Sequence, residues 1–408
     1  MIAVKSKASN TTTSVEFVIV MSMMMSLTAL SIDAILPALG LIAHDLSIIN
    51  PNDRQLIISV IFLGQAVGQL FFGSLSDKTG RKRAAYAGYT VFIIGSVMSA
   101  AAADYSLMLF GRILQGIGIS APRALSMAMI RDNFEGRRMA QTMSLVMAVF
   151  ILVPAIAPTI GQGILSFTDW RGIFGAFVIF ALITVVWLGV RIPETLVPER
   201  RKPFSLHRIL NSIVEMLKIR PALGYTITAG LIYGVFTGYL NSSQQIFQEQ
   251  YALGASFPLF FGAIALSMGL ASLLNSRLVM RFGMTKLVQW TLGAIFALAM
   301  VFLVIAISLN GQPPLWVLMV FFMLAFFCVG ILFGNVNSLA MEPLGHMAGL
   351  GAAVVGSLTT LISMVLGTMI GSSYNGTILP LVIGMVLLMG FANLVARWAA
   401  AKQPVQVR

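Results

Sequence analysis

A charged loop between two uncharged apolar stretches is the feature that most constrains this chain. The segment 73–83, Gly-Ser-Leu-Ser-Asp-Lys-Thr-Gly-Arg-Lys-Arg, carries four cations, whereas residues 55–72 and 84–103 contain no charged side chain. Each apolar stretch is close to the roughly 20 residues that cross a bilayer as a helix. Because short cation-rich loops stay on the cytoplasmic side of a membrane, this loop predicts the orientation of the segments on either side of it.

The balance of apolar and charged residues extends this interpretation to the whole chain. Of 408 residues, 58% are hydrophobic and 10% are charged, against roughly 25% charged residues in a soluble domain. The excess apolar surface must face lipid. The net charge of +12 does not indicate a nucleic-acid partner, since the cations fall in loops at alternate ends of the apolar stretches. The composition therefore predicts a polytopic membrane protein.

Twelve apolar stretches are long enough to span a membrane. They cover residues 15–43, 54–76, 84–103, 105–131, 138–166, 170–191, 222–250, 256–281, 285–308, 314–341, 346–374 and 376–400. If they are helices, 22 of the 26 Lys and Arg residues lie on the side of the charged loop, and only Arg54 and Arg171 lie opposite. The sequence thus predicts an all-α fold of twelve transmembrane helices with both termini cytoplasmic. The two remaining cations, Arg112 and Arg123, lie inside the fourth stretch.

One long connection divides the chain. Residues 192–221 contain four prolines and a cationic cluster at 200–202, and they separate six predicted helices in 1–191 from six in 222–408. Within the connection, residues 206–219 place their apolar side chains on one helical face, which is typical of a helix that lies on a membrane surface. We therefore predict an N-terminal half, a cytoplasmic linker and a C-terminal half.

The charged loop also carries a recognisable motif. Its pattern, Gly-x-Leu-x-Asp-x-x-Gly-Arg-Lys/Arg, resembles the signature loop of the major facilitator superfamily. Segments 31–37, 112–116, 154–161 and 342–349 are together similar to the bicyclomycin-resistance (Bcr/CflA) branch of bacterial drug/proton antiporters. The resemblance implies two six-helix halves around a central cavity, in the inner membrane of a bacterium. It also implies proton-coupled export of amphipathic small molecules and drugs, and hence antibiotic resistance, by a monomer. The alternative is proton-coupled export of one specific metabolite, an anionic one included.

Three ionisable side chains are predicted to lie at mid-membrane depth: Asp33, Arg112 and Arg123. Each costs about 2.5–3.5 kcal/mol unless it is paired or hydrated, so such residues are functional by default. Asp33 and Arg112 are at similar depth and could form an ion pair, directly or through water; a fixed structural salt bridge is the alternative. Asp33 is the only carboxylate at this depth, which makes it the expected proton carrier, with Arg112 as its partner in coupling. Both are also candidates for substrate binding.

Arg123 follows Arg112 by about three helical turns, so the two share a face. The resemblance places Arg112 on the cavity, and Arg123 is then expected there too, nearer the cytoplasm. An unpaired cation at this position favours substrates with an anionic or strongly accepting group. The other interpretation is structural: Pro122 frees the carbonyl of Gly118, which Arg123 could bind together with Asp132.

A second group of residues is expected to control the conformation. In the superfamily that the loop resembles, its aspartate, here Asp77, packs near the start of the eleventh helix, which places it near Gly345–Ala348 with Arg131 as a second partner. Such contacts would hold the cytoplasmic side shut; the alternative is that the loop only sets topology. Prolines one turn apart predict a bend at the interface between the halves. The predicted gate residues are Gly73, Asp77, Gly80, Arg81, Arg131, Pro154 and Pro158.

The second half supplies neutral and aromatic side chains to the predicted cavity, which suit amphipathic substrates. They are Tyr233, Phe236, Tyr239, Asn241, Gln244 and Gln245 in the seventh predicted helix, and Asn335 and Asn337 in the tenth. The sequence contains no nucleotide-binding loop, metal-ligand cluster or nucleophile–base pair, so we expect no cofactor, no metal and no enzymatic activity. A channel is the other alternative, but a channel would not require the charged loop or the division into two halves.

Overall fold

The computed structural model describes residues 14–201 and 203–401. In this part of the chain there are 14 α-helices, α1–α14, and 12 of them have 20 residues or more. The first-half helices are α1 (Ser14–Asp33), α2 (Leu39–Asp45), α3 (Leu56–Thr79), α4 (Arg81–Ala100), α5 (Tyr105–Asn133), α6 (Gly136–Leu165) and α7 (Arg171–Arg191). The others are α8 (Leu206–Lys218), α9 (Arg220–Gln244), α10 (Phe257–Phe282), α11 (Met284–Ser308), α12 (Leu315–Met341), α13 (Ala348–Ser372) and α14 (Leu379–Ala400).

The prediction of an all-α fold with twelve membrane-length helices is confirmed. Ten continuous stretches are long and apolar enough to cross a membrane, and one of them, Leu315–Ser372, contains both α12 and α13. The twelfth long helix is α4, whose first turn belongs to the charged loop and makes it less apolar. Part of the charge argument for the cytoplasmic termini rests on Lys5, Lys7, Lys402 and Arg408, which lie outside the described residues, as does Lys202.

The first predicted span, residues 15–43, lies within a continuous membrane-length stretch at Val15–Asp45, but this stretch is broken in its middle and is not one regular α-helix. Helix α1 ends at Asp33. A short 3₁₀ turn follows at Leu36–Ala38, and α2 begins directly after it at Leu39. Pro37 has no N–H and cannot donate to the carbonyl of Asp33 four residues earlier, so the α-helical hydrogen bonding stops there. The amide of Ala38 donates instead to the carbonyl of Ile35 at 2.9 Å. The break places Asp33 at a helix end inside the membrane.

The seventh span also departs from regular α-helix. After α9 the chain continues as a π-helical turn at Gln245–Gln250. Single π turns are rare and are frequent at functional sites. This turn brings three glutamines and Glu249 to the outer end of the second half.

The long helices form two groups. Helices α1 and α3–α7 pack mainly on one another, as do α9–α14, and the groups meet along two seams, α3 against α13 and α6 against α10. At the first seam the Ser357 hydroxyl donates to the carbonyl of Ala66 at 2.7 Å. At the second, a Cβ added at Gly262 would lie 2.8 Å from the carbonyl oxygen of Ala155. The arrangement agrees with two six-helix halves, while the boundaries at 191 and 222 stay a prediction.

Helix α5 occupies the centre of the first half because glycines let α3 approach it closely. A Cβ at Gly64 would lie 2.0 Å from the carbonyl oxygen of Ile113, and one at Gly116 would lie 2.0 Å from that of Ile61. Small residues at helix contacts are the usual means of close packing in membranes, where lipid offers no hydrophobic drive. This packing fixes the position of Arg112 in the middle of the bundle.

Candidate functional site

Asp33 lies at the end of α1 and is almost completely buried, with 3% of its surface exposed. Its Oδ1 has no hydrogen-bond partner among residues 14–201 and 203–401. The Tyr239 hydroxyl of α9 is close enough to interact with this carboxylate electrostatically, and it too is buried without a partner in the same part of the chain. Buried polar groups in folded proteins are nearly always paired. Two such groups from opposite halves therefore mark a candidate site.

The position of Tyr239 is fixed by aromatic contacts within the second half. Its ring stacks on Phe261 of α10, with 5.6 Å between centroids. The rings of Phe322 and Phe326 on α12 lie 5.3 Å and 4.6 Å away. Such pairs stabilise one orientation of the ring by about 0.5–1.5 kcal/mol each beyond the area that they bury. The hydroxyl is thus held near Asp33 by a rigid part of the structure.

Arg112 does not form the predicted ion pair with Asp33. Its side chain is fully buried inside the first half, where Nε donates to the Ile57 carbonyl at 2.8 Å and Nη1 donates to the Ser31 carbonyl at 2.9 Å. Nη1 also donates to Oε1 of Gln115 at 2.7 Å. Backbone and amide oxygens therefore take the place of the carboxylate. Because Ser31 precedes Asp33 by two residues, Arg112 still holds the end of α1, where a cation is favourable.

Arg123 contacts the second half instead of its own loop. Its guanidinium lies beside the Tyr233 hydroxyl of α9, and the Asn337 amide of α12 lies beside that hydroxyl as well. The structural interpretation required the Gly118 carbonyl and Asp132, but no hydrogen bond to either is present in the described chain, and Asp132 binds Arg81 at 2.8 Å. Within that part, Arg123 also has no ion pair with any carboxylate.

Aromatic side chains line the cleft next to Arg123. Tyr233 stacks on Phe333 of α12, with centroids 4.0 Å apart and ring planes 20° apart, and Phe236 meets Phe333 edge-on at 5.9 Å. We call these three residues the aromatic wall. In the middle of α9, Tyr233 and Phe236 are partly exposed, whereas every residue from 237 to 247 is buried. Exposed surface on this part of α9 therefore ends at Phe236, and we take that position as the depth of the cleft between the halves.

Polar contacts between the halves close the outer side. Arg54 Nη2 lies 2.5 Å from Glu249 Oε1, and Gln245 donates to the Asn52 side chain at 2.9 Å and accepts from Gln55. We call these five residues the outer closure. All five lie at helix ends, where sequence reasoning treated Arg54 only as a topological marker and Glu249 only as a terminal carboxylate. The signal that could have found them is the run of side-chain amides on both sides of the outer loops.

A tyrosine beside the outer closure stays neutral over the ordinary pH range. Burial raises the pKa of Tyr374, in the loop after α13, to about 12, and the nearby Glu249 carboxylate adds to that rise while Arg54 opposes it. The backbone carbonyl of Tyr374 accepts from Asn52 Nδ2 at 2.9 Å. The loop is therefore attached to the closure by an interaction that does not titrate near neutral pH.

The amides predicted for the cavity lie in different places. Asn241 donates to the Ser59 hydroxyl at 2.9 Å and joins the halves near the outer closure. Asn335 binds Asn275 of α10 at 2.7 Å inside the second half. Gln244 is buried and donates within its own helix. Of the eight predicted lining residues, the cleft thus receives Tyr233, Phe236 and Asn337, and Tyr239 lies at its closed end.

A cavity lies next to the charged loop, between α3, α8 and the start of α13. Asp77 pairs with Arg81 at 2.7 Å, and Arg81 also pairs with Asp132. Asp77, residues 346–350 and several residues of the linker and α8 between Pro203 and Glu215 line a cavity of about 630 Å³. No hydrogen bond joins Asp77 to the start of α13 in the described chain. The predicted partner Arg131 is exposed and forms no ion pair there. Arg81 is the partner of Asp77 instead of Arg131, because Arg81 follows Asp77 by four residues, about one helical turn.

The turn between α3 and α4 depends on Gly80 and on a residue that sequence reasoning missed. Gly80 has φ of +101°, a conformation that side chains disfavour. The Glu194 carboxylate accepts from the backbone amides of Arg81 at 2.9 Å and Lys82 at 3.1 Å. An anion at these free amides stabilises the start of α4. By contrast, Gly73 has open space where a Cβ would be.

Helix α6 connects the break in α1 to the interface between the halves. It runs without interruption through Pro154 and Pro158. A Cβ at Gly161 would lie 1.9 Å from the carbonyl oxygen of Ala34, the residue after Asp33. Six residues earlier, nearly two helical turns away, the Ala155 carbonyl faces α10 of the second half at Gly262. The segment between these two contacts, which includes Pro158, thus links α10 of the second half to the break in α1 beside Asp33.

Comparisons with known proteins identify the relatives of this chain. The family profile of the Major Facilitator Superfamily matches residues 17–368. The uncharacterized MFS-type transporter YdgK of Bacillus subtilis is 30% identical over 86% of this chain and 87% of its own length. The bicyclomycin resistance protein homolog of Haemophilus influenzae is 27% identical over 90% and 92%. The multidrug resistance protein MdtL of Escherichia coli is 30% identical over 80% of each chain.

Solved structures share the fold at low sequence identity. The human organic anion transporter MFSD10 has a TM-score of 0.72 at 18% identity, over 95% of this chain and 100% of its own. The xylose transporter XylE of Escherichia coli has a TM-score of 0.73 at 16% identity, over 94% and 97%. These likenesses concern the arrangement of the helices. The residues of the site must be interpreted from this chain alone.

Proposed function

The chain belongs to the major facilitator superfamily, and from that membership we propose that it exports amphipathic small molecules, drugs included, in exchange for protons by alternating access. Relatives named for bicyclomycin and multidrug resistance support export of drugs. The observation that carries the proton coupling is Asp33, a buried carboxyl without a partner for Oδ1 in the described chain, at the closed end of a cleft between the halves.

Alternating access requires two bodies that rock about the site. We assign these to residues 1–191 and 222–408, joined by the linker 192–221. The outer closure is formed, and no hydrogen bond joins Asp77 to the start of α13 in the described chain, so we assign this conformation to the cytoplasm-facing state. In the opposite conformation the outer closure would separate, and Asp77 would approach the start of α13, where the helix dipole favours an anion. The transporter would work as a monomer in the inner membrane of a bacterium, with both termini cytoplasmic.

The cycle uses the different surroundings of Asp33 in the two conformations. Burial without a cation disfavours an ionised carboxylate, whereas water favours it. The cytoplasm-facing state therefore suits a carboxyl that has already received its proton from the outer side. A substrate that enters the cleft and brings polar groups or water to Asp33 would release that proton to the cytoplasm. Arg112, which holds the backbone at Ser31, acts as a positioning residue for this step.

Tyr239 gives Asp33 a partner from the second half. A hydroxyl can accept a hydrogen bond from a neutral carboxyl and donate one to a carboxylate, so it suits both protonation states. Movement of the halves would separate the two groups, because α1 and α9 belong to different bodies. The protonation of Asp33 would thereby depend on the conformation of the transporter.

Proton release on substrate binding tests this function. Ethidium, an amphipathic cation, is added to purified protein in weakly buffered detergent solution with a pH indicator dye, and accumulation of ethidium is followed in proteoliposomes with an imposed pH gradient. Wild type should release protons and concentrate ethidium, whereas Asp33→Asn should bind ethidium but do neither. Asp169→Asn, which removes an exposed outer carboxylate, is the matched control and should behave as wild type. Proton release that persists in Asp33→Asn would show that Asp33 is not the carrier.

A further inference from the structure

A second binding position lies on the cytoplasmic side of Asp33, between Arg123 of α5 and the aromatic wall of the other half. We infer that it binds the anionic or strongly accepting group of a planar substrate, a carboxylate attached to an aromatic ring being the simplest example. This inference rests on the proposed transport function and names a substrate class for it. Three independent features of the structure carry it.

The first feature is the charge. Arg123 lies ten residues before the end of α5 at Asn133, which is about 15 Å along the helix. It forms no ion pair with a carboxylate of the part of the chain that the structure describes. A guanidinium presents a planar fork of donors that fits a carboxylate with two parallel hydrogen bonds. An arginine without an ion pair in the membrane region can bind a ligand that supplies the missing anion.

The second feature is the set of neighbouring polar groups. The Tyr233 hydroxyl lies beside the guanidinium and beside the Asn337 amide. The Asn337 Nδ2 atom is committed to the carbonyl of Phe333 at 3.0 Å, which fixes the side chain. Arg123 and Tyr233 come from opposite halves, so a ligand held by both would bridge the two bodies. Binding at this position would therefore respond to the conformation of the transporter.

The third feature is the aromatic wall. Tyr233 and Phe333 are stacked with centroids 4.0 Å apart, and Phe236 stands at 84° to Phe333. All three are partly exposed on the accessible side of the cleft. A flat ring can stack on such a surface while its acidic substituent reaches Arg123. The wall and the cation together favour a planar acid over an aliphatic one or a simple inorganic anion.

The position also differs from Asp33 in the class of group that it would bind. A cationic group is favoured at Asp33 only after that carboxyl has released its proton, whereas an acidic group is attracted to Arg123 nearer the cytoplasm. A zwitterion with suitably separated charges could engage both. The cleft is thus asymmetric in charge along the transport direction, and the acidic group of a substrate that enters from the cytoplasm meets Arg123 first.

A matched pair of dyes isolates this recognition. The probes are a rhodamine with a free benzoate group and the methyl ester of the same dye, which share the flat ring system and differ in the acid. Equilibrium binding to purified protein is measured by fluorescence anisotropy. Arg123→Ala should weaken binding of the free acid by about 10- to 100-fold, the range for loss of a charged hydrogen-bonded pair. It should change the affinity for the ester less than about two-fold.

Three further variants separate recognition from folding. Tyr233→Phe keeps the ring stack and should weaken the free acid by about three-fold, as expected for one hydrogen bond. Phe236→Ala should weaken both dyes alike, because it removes ring contact from each. Arg138→Ala removes an exposed cytoplasmic arginine and should leave both affinities unchanged, which controls for the general loss of positive charge.

The outcomes also separate this inference from the transport function. Equal weakening of both dyes by Arg123→Ala, or no weakening of either, would overturn the acid-binding position. Wild-type protein that binds the ester but not the acid would overturn it as well and leave drug export intact. If wild type binds the acid through Arg123 but proteoliposomes move neither dye nor ethidium under a pH gradient, the transport function fails while the binding position stands.

Discussion

Arg54, in the turn before α3, and Glu249, on the π-helical turn after α9, form an ion pair at 2.5 Å across the two halves. In the part of the chain that the structure describes, it is the only ion pair that joins helices α1–α7 to helices α9–α14. The carboxylates at the charged loop pair within their own half. Ionic contact between the halves is thus confined to the outer side in this conformation.

Breaking this pair should shift the transporter towards the outward-facing state. Glu249→Gln leaves the buried Arg54 without its anion, and because an unpaired buried charge favours exposure to water, the equilibrium should move towards the state in which the two halves have separated there. The measurement is the rate at which a membrane-impermeant maleimide, added outside, labels Gln244→Cys in a Cys328→Ser background. That rate should rise about 10-fold or more.

The charge-swapped double variant Arg54→Glu with Glu249→Arg is the control for this prediction. It keeps an ion pair and should return the labelling rate towards that of the unswapped protein. Unchanged labelling in Glu249→Gln, in a variant that is still monodisperse, would show that the pair does not contribute to the outer closure.

Asp77 should affect turnover more than binding. Asp77→Asn removes the charge that pairs with Arg81 here and that would approach the start of α13 when the cytoplasmic side shuts. We expect the exchange rate in proteoliposomes to fall several-fold while the Kd for ethidium changes less than about two-fold, the signature of a residue that acts on a conformational step. Lys78→Gln, an exposed change in the same loop, should have little effect. Equal exchange rates for Asp77→Asn and wild type would mean that the loop only sets topology.

Glu194 should stabilise the start of α4. Glu194→Gln weakens the interaction with the free amides of Arg81 and Lys82, and losing such a cap costs about 0.5–2 kcal/mol. The variant should melt at a lower temperature than wild type in a thermal-shift assay in detergent. Glu199→Gln, which changes an exposed carboxylate of the same linker, serves as the matched control. Identical melting of the two variants would argue against the cap.

Gly161 and Gly163 provide a test of the contact between α6 and the break in α1. A Cβ at Gly161 would lie 1.9 Å from the Ala34 carbonyl, whereas one at Gly163 meets nothing within 4 Å. Overpacking of this kind costs about 1–3 kcal/mol. Gly161→Ala should therefore lower the melting temperature and uncouple ethidium transport from the pH gradient, while Gly163→Ala should do neither. If both variants transport alike, α6 does not position Asp33.

The sequence predicts the fold well because the features that determine the fold can be recognised within short segments of the chain. Helix length and loop charge decide each span separately, and the motif at residues 73–83 identifies the family that the profile match confirms. The sequence does not show which group a polar side chain will bind. Arg112 at the depth of Asp33 suggests an ion pair, yet its Nε and Nη1 donate to the carbonyls of Ile57 and Ser31, and its Nη2 has no partner in the described chain.

The same limit applies to the predicted cavity. Asn335 and Asn337 are two residues apart on one helix, so they point in different directions: Asn335 binds Asn275 in the second half and Asn337 lies near Arg123. Without the orientation of α12, nothing distinguishes them. Of the outer closure, the sequence prediction included only Gln245, as a cavity residue. The other four lie at helix ends and look like ordinary surface residues until the two halves are brought together.

The formed outer closure decides from which side of the cell a blocking compound can act. In the cytoplasm-facing conformation a molecule in the external medium finds the way to Arg123 and Asp33 shut, so an inhibitor aimed at either residue must first cross the membrane and accumulate inside. A compound that wedges between Arg54 and Glu249, or that binds and immobilises the closed pair, works from outside and needs no permeability. For resistance conferred by such an exporter, the second kind of compound would escape the export that it is meant to stop.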